Sequence, residues 1–300
     1  VYKRQRQYLL NNEELPDDFY TIFLVDEKTL KPTGEIALDK LLRAKGDEKL
    51  NSIMDGEIVP VDVYTDQEEV AHMFREYGWM SAEVVVDNKG RLIGVINIDD
   101  VVEIVHEETN EDMMLLTGAE SNDVYRSVFS IFKSRSIWLV TNLFATIVAA
   151  SVVGEFQDII AQLSILAVLM PIVASMGGTT GQQTLAVVVR SLATKELNSR
   201  NALRMIGKEF MVGLCNGLLF AVMIGIAVRI WFPGQEMISY IIALAMLCNL
   251  TVASLAGILI PLTINRLKID PAIASGVFLI ACTDSGGYFI FLGLAKLLLF

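Results

Sequence analysis

One apolar stretch decides the fold of the C-terminal half: residues 272–300 read AIASGVFLIACTDSGGYFIFLGLAKLLLF. About 20 apolar residues let a helix cross the hydrocarbon core of a bilayer, so this stretch predicts a transmembrane helix. Its centre carries one acid, Asp284. A charge at that depth costs roughly 2.5–3.5 kcal/mol on insertion scales, so it normally faces a water-filled path or a partner. Asp284 is therefore predicted to line an ion pathway; the alternative is a structural acid beside Gly286 and Gly287, which favour helix packing.

Four further apolar stretches precede this one, which makes five predicted membrane crossings. They cover residues 137–154, 159–176, 210–232, 238–264 and 272–299. Two connections carry most of the basic residues of this half, one from Arg190 to Lys208 and one at Arg266 and Lys268. Basic connections favour the cytoplasmic side of a membrane. The N-terminal part is therefore predicted to be cytoplasmic and the C-terminus to lie outside.

Charge separates an acidic N-terminal part from the membrane part. Residues 1–136 hold 28 Asp and Glu against 15 Lys and Arg, a formal charge of −13, whereas residues 137–300 hold 7 against 9, a charge of +2. Such an acidic surface argues against nucleic acid as a partner and favours cations, divalent metals above all. The alternative for most of these acids is an ordinary solvated surface. The three cysteines and two histidines show no spacing typical of zinc, redox or nucleophilic sites.

An internal repeat organises the N-terminal part. Residues 83–102 read EVVVDNKGRLIGVINIDDVV, a pattern typical of a strand, a turn, a second strand and a helix. Residues 22–42 repeat it at a constant offset of 60, with Gly34 matching Gly94 and one extra residue in the earlier turn. The repeat, preceded by a helix that opens at Asp66, resembles a pair of CBS motifs of which the first is truncated. The resemblance implies a regulatory module that binds ions or an adenine nucleotide such as ATP.

Residues 107–136 connect the CBS pair to the first crossing. Val124, Val128, Ile131 and Phe132 recur there at helical spacing, which predicts one continuous amphipathic helix. The approach to it is acidic, and two sets of acids share helix faces: Asp100, Glu103 and Glu107, and Glu108 with Asp112. Like charges at such spacing repel each other unless a cation bridges them. The predicted domains are 1–62 (truncated first CBS motif), 63–106 (second CBS motif), 107–136 (connecting helix) and 137–300 (membrane domain).

Two segments of the membrane part indicate a family. Residues 171–183 read PIVASMGGTTGQQ, and residues 268–276 read KIDPAIASG, which leads to Asp284 fourteen residues after Asp270. In this order, after a CBS pair and an acidic connection, they resemble the MgtE family of magnesium channels and transporters, without the family's amino-terminal helical domain. The resemblance implies an α+β cytoplasmic CBS-domain pair followed by an all-α membrane domain of five transmembrane helices. It also implies a homodimer in the lipid of the cell membrane.

The resemblance assigns roles to residues by position. Asp284 matches the pore acid, and Asp270 matches an acid near the cytoplasmic pore mouth. The regulatory Mg²⁺-binding positions are matched by Asp66, Glu68, Asp100, Glu103, Glu108, Glu111 and Asp112. A polar pore lining is predicted from hydroxyl, amide and carbonyl oxygens, which suit a Mg²⁺ ion that keeps its hydration shell, at Thr179, Gln183, Ser275, Gly276 and Thr283.

Three positions depart from the family pattern. The usual Gly-Gly-Asn reads Gly177-Gly178-Thr179, Gly276 is followed by Val277 in place of proline, and Gly78 replaces an acid. Because the first two changes alter polar lining, selectivity among Mg²⁺, Co²⁺, Ni²⁺ and Mn²⁺ stays open.

The leading hypothesis is a Mg²⁺-gated magnesium channel for Mg²⁺ uptake, in which cytoplasmic carboxylates sense the ion. The alternative is an ion-coupled divalent-cation exporter, or a transporter of Co²⁺ or another divalent metal. Such a carrier needs a second titratable site in the membrane, and the sequence indicates Asp284 alone there. A membrane enzyme regulated by CBS motifs is a third reading, but the crossings carry no nucleophile and base at catalytic spacing, so no enzyme activity is predicted.

Overall fold

The structure, a computed structural model, describes residues 20–44, 49–54, 58–79, 81–120, 123–198 and 200–299. The chain divides into two compact units, one up to Asn110 and one from Glu111 onward. The first unit combines short β-sheets with helices, and the second is helical in its described residues. The predicted fold class, an α+β region followed by a five-helix domain, is confirmed.

The first unit begins with an antiparallel hairpin of β1 (Thr21–Val25) and β2 (Pro32–Ala37). Two short helices, α1 (Leu38–Arg43) and α2 (Leu50–Ile53), pack on β2. Ile36 and Leu41 are the buried centre of this half, because alternate residues of the strand and one face of the helix point to the same side.

The second half of the first unit has a three-stranded sheet. Its elements are β3 (Val61–Asp62), α3 (Gln67–Tyr77), β4 (Ala82–Val86), β5 (Leu92–Asn97) and α4 (Ile98–Leu115). β3 pairs with β4 in parallel, with α3 as the crossover, and β4 pairs with β5 in antiparallel order. The helix predicted to open at Asp66 is confirmed, since the Asp66 carboxylate accepts a hydrogen bond from the Glu68 N–H at 3.0 Å.

Helix α3 ends at the glycine that departs from the family pattern. Gly78 has a φ of 67°, and its N–H donates to the Phe74 carbonyl, which closes the helix in the left-handed conformation that favours glycine. The glycine at this position therefore has a local structural reason.

The predicted repeat is present in the strand pairing. Leu24 pairs with Gly34 in the first hairpin, and Val85 pairs with Gly94 in the second. Both ladders change register immediately after these pairs, between Leu24 and Val25 and between Val85 and Val86. The two motifs are also joined at their equivalent starts, where the hydroxyls of Thr21 and Ser81 lie 2.7 Å apart.

The continuous connecting helix predicted over residues 107–136 is wrong. Helix α4 ends at Leu115, and the next helix begins at Val128. Gly118 turns the chain between them with a φ of 72°, and its N–H donates to the Leu115 carbonyl at 3.0 Å. The Trp138 side chain fills the space that a Cβ at position 118 would need. This packing contact overrides the helical spacing of the apolar residues.

Five described helices of the second unit are long and apolar enough to cross a bilayer. They are α5 (Val128–Gly154), α7 (Ile165–Ala193), α8 (Ala202–Trp231), α9 (Glu236–Arg266) and α10 (Pro271–Leu299), with the short α6 (Gln157–Gln162) after α5. The second crossing differs from its predicted range of 159–176. α7 continues to Ala193, so the segment 171–183 lies within a helix and not at its end.

Helix α9 is the centre of this unit. It packs against α7, α8 and α10, whereas α5 packs mainly on α10. Most of the apolar stretch of α9 is therefore buried by protein, and most of α5 and α8 is exposed. In a bilayer those exposed apolar faces would meet lipid or another protein chain.

Candidate ion pathway and regulatory site

Two of the predicted pore residues, Thr179 and Asp284, lie next to a point where α7 and α10 come close together. A Cβ placed on Gly178 would lie 4.0 Å from the Thr283 hydroxyl, which shows how near the two helices approach. Thr179 follows Gly178 on α7, and Asp284 follows Thr283 on α10. The structure thus places both predicted residues beside the same helix contact.

Asp284 is half-buried on α10, and it is the one acid in that helix. The preceding Thr283 is 1% exposed, and its hydroxyl donates to the Leu279 carbonyl at 3.0 Å. Thr283 therefore serves helix packing in this structure, while the partly exposed Asp284 can reach open space. Of the two, Asp284 is the residue that an ion could approach.

A polar stripe runs along the exposed face of α7. It consists of Ser175, Thr179, Gln182 and Gln183, all of which are exposed in the described unit. The Thr179 hydroxyl donates to the Ser175 carbonyl at 2.9 Å, so its oxygen still has capacity to accept a hydrogen bond. Polar groups in a membrane helix are costly against lipid, so this stripe requires water or a protein partner in a bilayer.

Ser275 and Gly276, predicted to line the pore, are covered. Ser275 is fully buried, and its hydroxyl oxygen has no hydrogen-bond partner among the described residues. A Cβ on Gly276 would lie 3.3 Å from the Leu116 carbonyl and 3.6 Å from the Trp138 ring. The segment after α4 therefore closes over the start of α10 in this structure.

Asp270 is exposed at the N-terminus of α10. Its carboxylate accepts a hydrogen bond from the Ala272 N–H at 2.8 Å, which is the geometry of a helix cap. The remaining oxygen capacity of this exposed carboxylate is available to water or to a cation.

The sequence analysis did not select Glu209, a second acid within a membrane helix. Its carboxylate on α8 accepts a hydrogen bond of 2.9 Å from the hydroxyl of Thr184 on α7. Gly257 on α9 makes room for this pair, since a Cβ there would lie 2.8 Å from the Thr184 Cβ. An acid in the second turn of a membrane helix could have identified Glu209 from the sequence. It was not selected because the predicted crossing began only at residue 210.

The predicted regulatory carboxylates lie at the start of α3 and along α4. Gln67 on α3 donates to Glu108 on α4 at 2.5 Å, which brings the start of α3 close to the middle of α4. Asp100 accepts from the Asn97 N–H at 3.0 Å and so caps α4. Glu103 is exposed, and so is Glu111 farther along the same helix.

These carboxylates do not form a ready metal site on their own. Within the part of the chain that the structure describes, no three His, Cys, Asp or Glu side chains converge on one point. Mg²⁺ nevertheless keeps several waters and often binds through one or two carboxylates. These carboxylates therefore suit Mg²⁺ even though fewer than three of them converge. Asp66 and Glu68 at the start of α3, and Glu108 opposite, are the residues that would hold such an ion.

A buried acid in the first unit was also not selected. Glu83 on β4 is 1% exposed, and its carboxylate accepts from the Val84 N–H at 3.1 Å. Burial raises the pKa of Glu83 to about 7, and the neighbouring Glu35 carboxylate adds to that increase. Glu83 therefore changes charge near neutral pH.

Comparison with known proteins agrees with this arrangement. Residues 170–294 match the profile of the MgtE divalent cation transporter domain, and residues 50–107 match that of the CBS domain. Magnesium transporter MgtE of Enterococcus faecalis is 32% identical over 98% of this chain and 64% of its own length. The proteins of the same name from Bacillus subtilis and Thermus thermophilus are 29% and 30% identical, each over 94% of this chain and over 62% and 63% of their own lengths.

Two solved structures are similar to the N-terminal part. The soluble part of a magnesium transporter is 26% identical, with a TM-score of 0.33 over 36% of this chain and 41% of that one. The cytosolic domain of the Mg²⁺ channel MgtE in complex with ATP is 32% identical, with a TM-score of 0.32 over 35% of this chain and 41% of that one. The chain spans less than two thirds of the length of the curated relatives it matches. Because both domain profiles match in this order and the relatives align along nearly all of this chain, the chain belongs to the MgtE family.

Proposed function

We propose that this chain carries hydrated Mg²⁺ across the membrane along the polar stripe of α7 and the Asp284 carboxylate of α10. The observation that supports the proposal is the approach of α7 to α10 at Gly178 and Thr283, since Thr179 and Asp284 are the next residues along those two helices. Hydroxyl, amide and carboxylate oxygens can replace outer-shell water without stripping the ion, which avoids the large dehydration cost of Mg²⁺. The names of the three relatives, all magnesium transporters, favour Mg²⁺ as the substrate.

The pathway forms between two copies of the chain. In one copy the stripe of α7 is uncovered, and an uncovered row of hydroxyls and amides is unfavourable against lipid. Two copies related by a twofold axis would bring two stripes and two Asp284 carboxylates to a shared, water-filled path. The homodimer follows from this requirement.

Gating is proposed at the segment after α4. Leu115 and Leu116 pack against an apolar cluster of α7, α9 and α10 that includes Leu185 and Leu279, and Leu116 also covers Gly276. Glu111 and Asp112 stand just before this contact. If cytoplasmic Mg²⁺ bridges acids along α4, it holds the covering segment in place. A difference of a few kcal/mol between the bridged and unbridged states is enough to shift the pore from open to closed.

The proposal also includes the orientation of the chain in the membrane and the binding of a nucleotide at the CBS pair. Lys195 and Arg200 lie between α7 and α8, and Arg204 lies in the first turn of α8. These basic residues favour the cytoplasm on that side. The N-terminal unit is then cytoplasmic, and uptake is the direction in which an internal Mg²⁺ sensor limits the flux. An adenine nucleotide at the CBS pair is proposed as a further regulator of the same unit.

An ion-coupled carrier is the second candidate. The structure favours it in one respect, because Glu209 is an acid within the membrane helix α8, and its carboxylate accepts a hydrogen bond from the Thr184 hydroxyl. A carboxylate that alternates between protonated and ion-bound states is what coupling to a proton gradient requires.

Ion flux into liposomes separates the two candidates. We expect the purified chain, reconstituted in liposomes, to pass Mg²⁺ down its own gradient without an imposed proton or sodium gradient. An absence of flux until a proton gradient is applied, together with loss of that dependence in Glu209→Gln, would establish the carrier instead. An absence of Mg²⁺ flux under both conditions would rule out both candidates.

A further inference from the structure

A cavity of about 510 Å³ opens beside the start of α5. One wall is polar and basic, formed by Arg126, Ser130, Lys133 and Ser134. Apolar side chains, among them Trp138 and Ile273, make up most of the remaining wall. The size is within the usual range of sites for small ligands, and the two walls differ sharply in chemistry.

The acids around the cavity are already neutralised. Glu120 pairs with Arg126 and accepts from the Ser134 hydroxyl at 2.5 Å. Asp123 pairs with Arg126 at 3.1 Å and with Arg135 at 2.8 Å. The hydrogen bonds from Arg135 hold the pKa of Asp123 below its usual value, so this acid stays charged and engaged. Two acids are thus matched by two arginines.

Lys133 is left as the surplus charge of the cavity wall. No ion pair joins it to an acid in the described part of the chain. One turn earlier, the Ser130 oxygen accepts from both Arg126 Nε at 3.3 Å and Nη2 at 2.8 Å, so the hydroxyl hydrogen can point toward a ligand. An ammonium group and a hydroxyl donor on adjacent turns form a recognition surface for one phosphate group.

The cavity lies where a membrane surface is expected. The apolar run of α5 starts at Ile137, which is 66% exposed, one turn after Lys133. Trp138 is the type of residue that favours the boundary between water and hydrocarbon. Farther along α5, exposed Leu139, Val140 and Leu143 provide a surface for acyl chains.

We propose that this cavity binds the headgroup of an anionic phospholipid, with the phosphate at Lys133 and Ser130 and the acyl chains along α5. Free phosphate would contact the same basic side chains, but it has no apolar group to contact Trp138 and Ile273. A phospholipid contacts the basic side chains through its phosphate and the apolar ones through its acyl chains. The inference rests on the membrane crossing of α5 and not on the transported ion.

Lipid retention measured by native mass spectrometry tests the site. The full chain in detergent is titrated with dioleoyl phosphatidylglycerol, dioleoyl phosphatidylcholine or inorganic phosphate. We expect tighter binding of phosphatidylglycerol than of phosphatidylcholine, and a loss of about fivefold in phosphatidylglycerol affinity for Lys133→Ala, the effect of one lysine at an anionic surface. Lys208→Ala is the matched control, since Lys208 is an exposed lysine near the start of a membrane helix and outside the cavity.

A steric variant tests the cavity without changing its charge. Ile273→Trp should fill the space and also displace the lipid, while the thermal unfolding of the lipid-free chain shows whether the variant is folded. Equal binding of the two lipids, or an equal loss in Lys208→Ala, would overturn the proposal. Binding of inorganic phosphate that fully displaces the lipid would make this a free-anion site. A Lys133→Ala change that alters the dimer fraction and leaves lipid binding intact would assign the surface to a second copy.

Discussion

Asn249 on α9 donates its side-chain N–H to the main-chain carbonyl of Val173 on α7, at 2.7 Å. Asn249 is 1% exposed, and its amide lies against two glycines, Gly177 on α7 and Gly287 on α10. One buried amide therefore joins three helices next to the proposed pathway. A Cβ at position 177 would overlap the amide nitrogen, and one at position 287 would lie 3.2 Å from it, so the two glycines leave room for the amide between the helices.

The first prediction concerns this contact. Gly177→Ala should lower stability by about 1–3 kcal/mol, because the new methyl group overlaps the Asn249 amide in a packed interior. Asn249→Ala should also destabilise, by roughly 1–3 kcal/mol, through loss of the hydrogen bond to the Val173 carbonyl. In the double variant the alanine methyl enters the vacated space, so the combined loss should be smaller than the sum. Thermal unfolding in detergent measures all three variants, and strict additivity would contradict the contact.

The second prediction concerns the pathway acid. Asp284→Asn keeps the volume of the side chain and removes its charge, so Mg²⁺ flux into liposomes should fall at least about tenfold, the effect of losing roughly 1.4 kcal/mol of ion stabilisation. Dimer formation and thermal stability should not fall, because the change leaves no unpaired ion in the membrane. Asp270→Asn is the comparison, since Asp270 is exposed and should reduce the flux much less. Normal flux in Asp284→Asn would make this acid structural.

The third prediction concerns selectivity. Thr179 is exposed on α7, and its hydroxyl hydrogen is used by the Ser175 carbonyl, which leaves mainly an acceptor for an ion's water. Thr179→Asn adds an amide with two further donors, so the ratio of Mg²⁺ to Co²⁺ flux should change severalfold with little effect on expression. Thr141→Asn is a control of the same type, because Thr141 is an exposed threonine of α5 with the same back-bond to Ile137. An equal ratio in all three proteins would remove Thr179 from the pathway.

The repeat and the crossings could be predicted from sequence because both are local or periodic. The offset between Gly34 and Gly94 fixed the pairing of two hairpins, and runs of apolar residues located five membrane helices. The break after Leu115 could not be predicted, since Gly118 turns there against Trp138, which is twenty residues farther along the chain. Local periodicity carries no information about that contact.

The polar contacts inside the membrane unit could not be predicted either, because they join residues that are far apart in the sequence. Asn249 and the Val173 carbonyl are 76 residues apart, and nothing near either residue indicates the other. Glu209 was counted with the basic connection because the predicted crossing began one residue after it, whereas α8 begins at Ala202. An apolar average locates the middle of a crossing better than its ends, and Glu209 lies near the start of α8.

The fourth prediction concerns gating. Neutralising Glu108, Glu111 and Asp112 as Gln, Gln and Asn should leave the flux high when Mg²⁺ on the cytoplasmic side is raised into the millimolar range, because the proposed ion bridges are lost. Glutamine at 108 keeps an oxygen for the hydrogen bond from Gln67, so the packing of α3 on α4 is preserved. Glu27→Gln is the control, since Glu27 is an exposed acid of the first hairpin to which no ion-binding role is assigned. Closure at the same Mg²⁺ level in the triple variant, or equal closure by matched monovalent salt, would leave these acids as a solvated surface.

The fifth prediction follows from the buried acid Glu83. Its folded-state pKa of about 7 lies above the ordinary value of 4.5, so the folded first unit binds a proton more tightly than the unfolded chain does. The stabilisation is therefore complete below pH 4.5 and is lost as the pH rises through 7. Since each pKa unit corresponds to about 1.4 kcal/mol, the first unit should lose on the order of 3 kcal/mol between these limits.

Glu83→Gln should flatten this dependence, because glutamine keeps the hydrogen-bond acceptor toward the Val84 N–H without a titrating group. Urea unfolding of the full chain between pH 5 and 8 measures it, followed by the fluorescence of Trp79 in a background in which Trp138 and Trp231 are phenylalanine. Trp79 is a suitable reporter, since its ring packs on Phe74 at 5.1 Å and on Tyr77 at 5.0 Å within the first unit. Glu69→Gln, an exposed acid on α3, serves as the control and should keep the wild-type slope. If wild type and Glu83→Gln lose stability in parallel above pH 6, the proton on Glu83 is not what stabilises the first unit there.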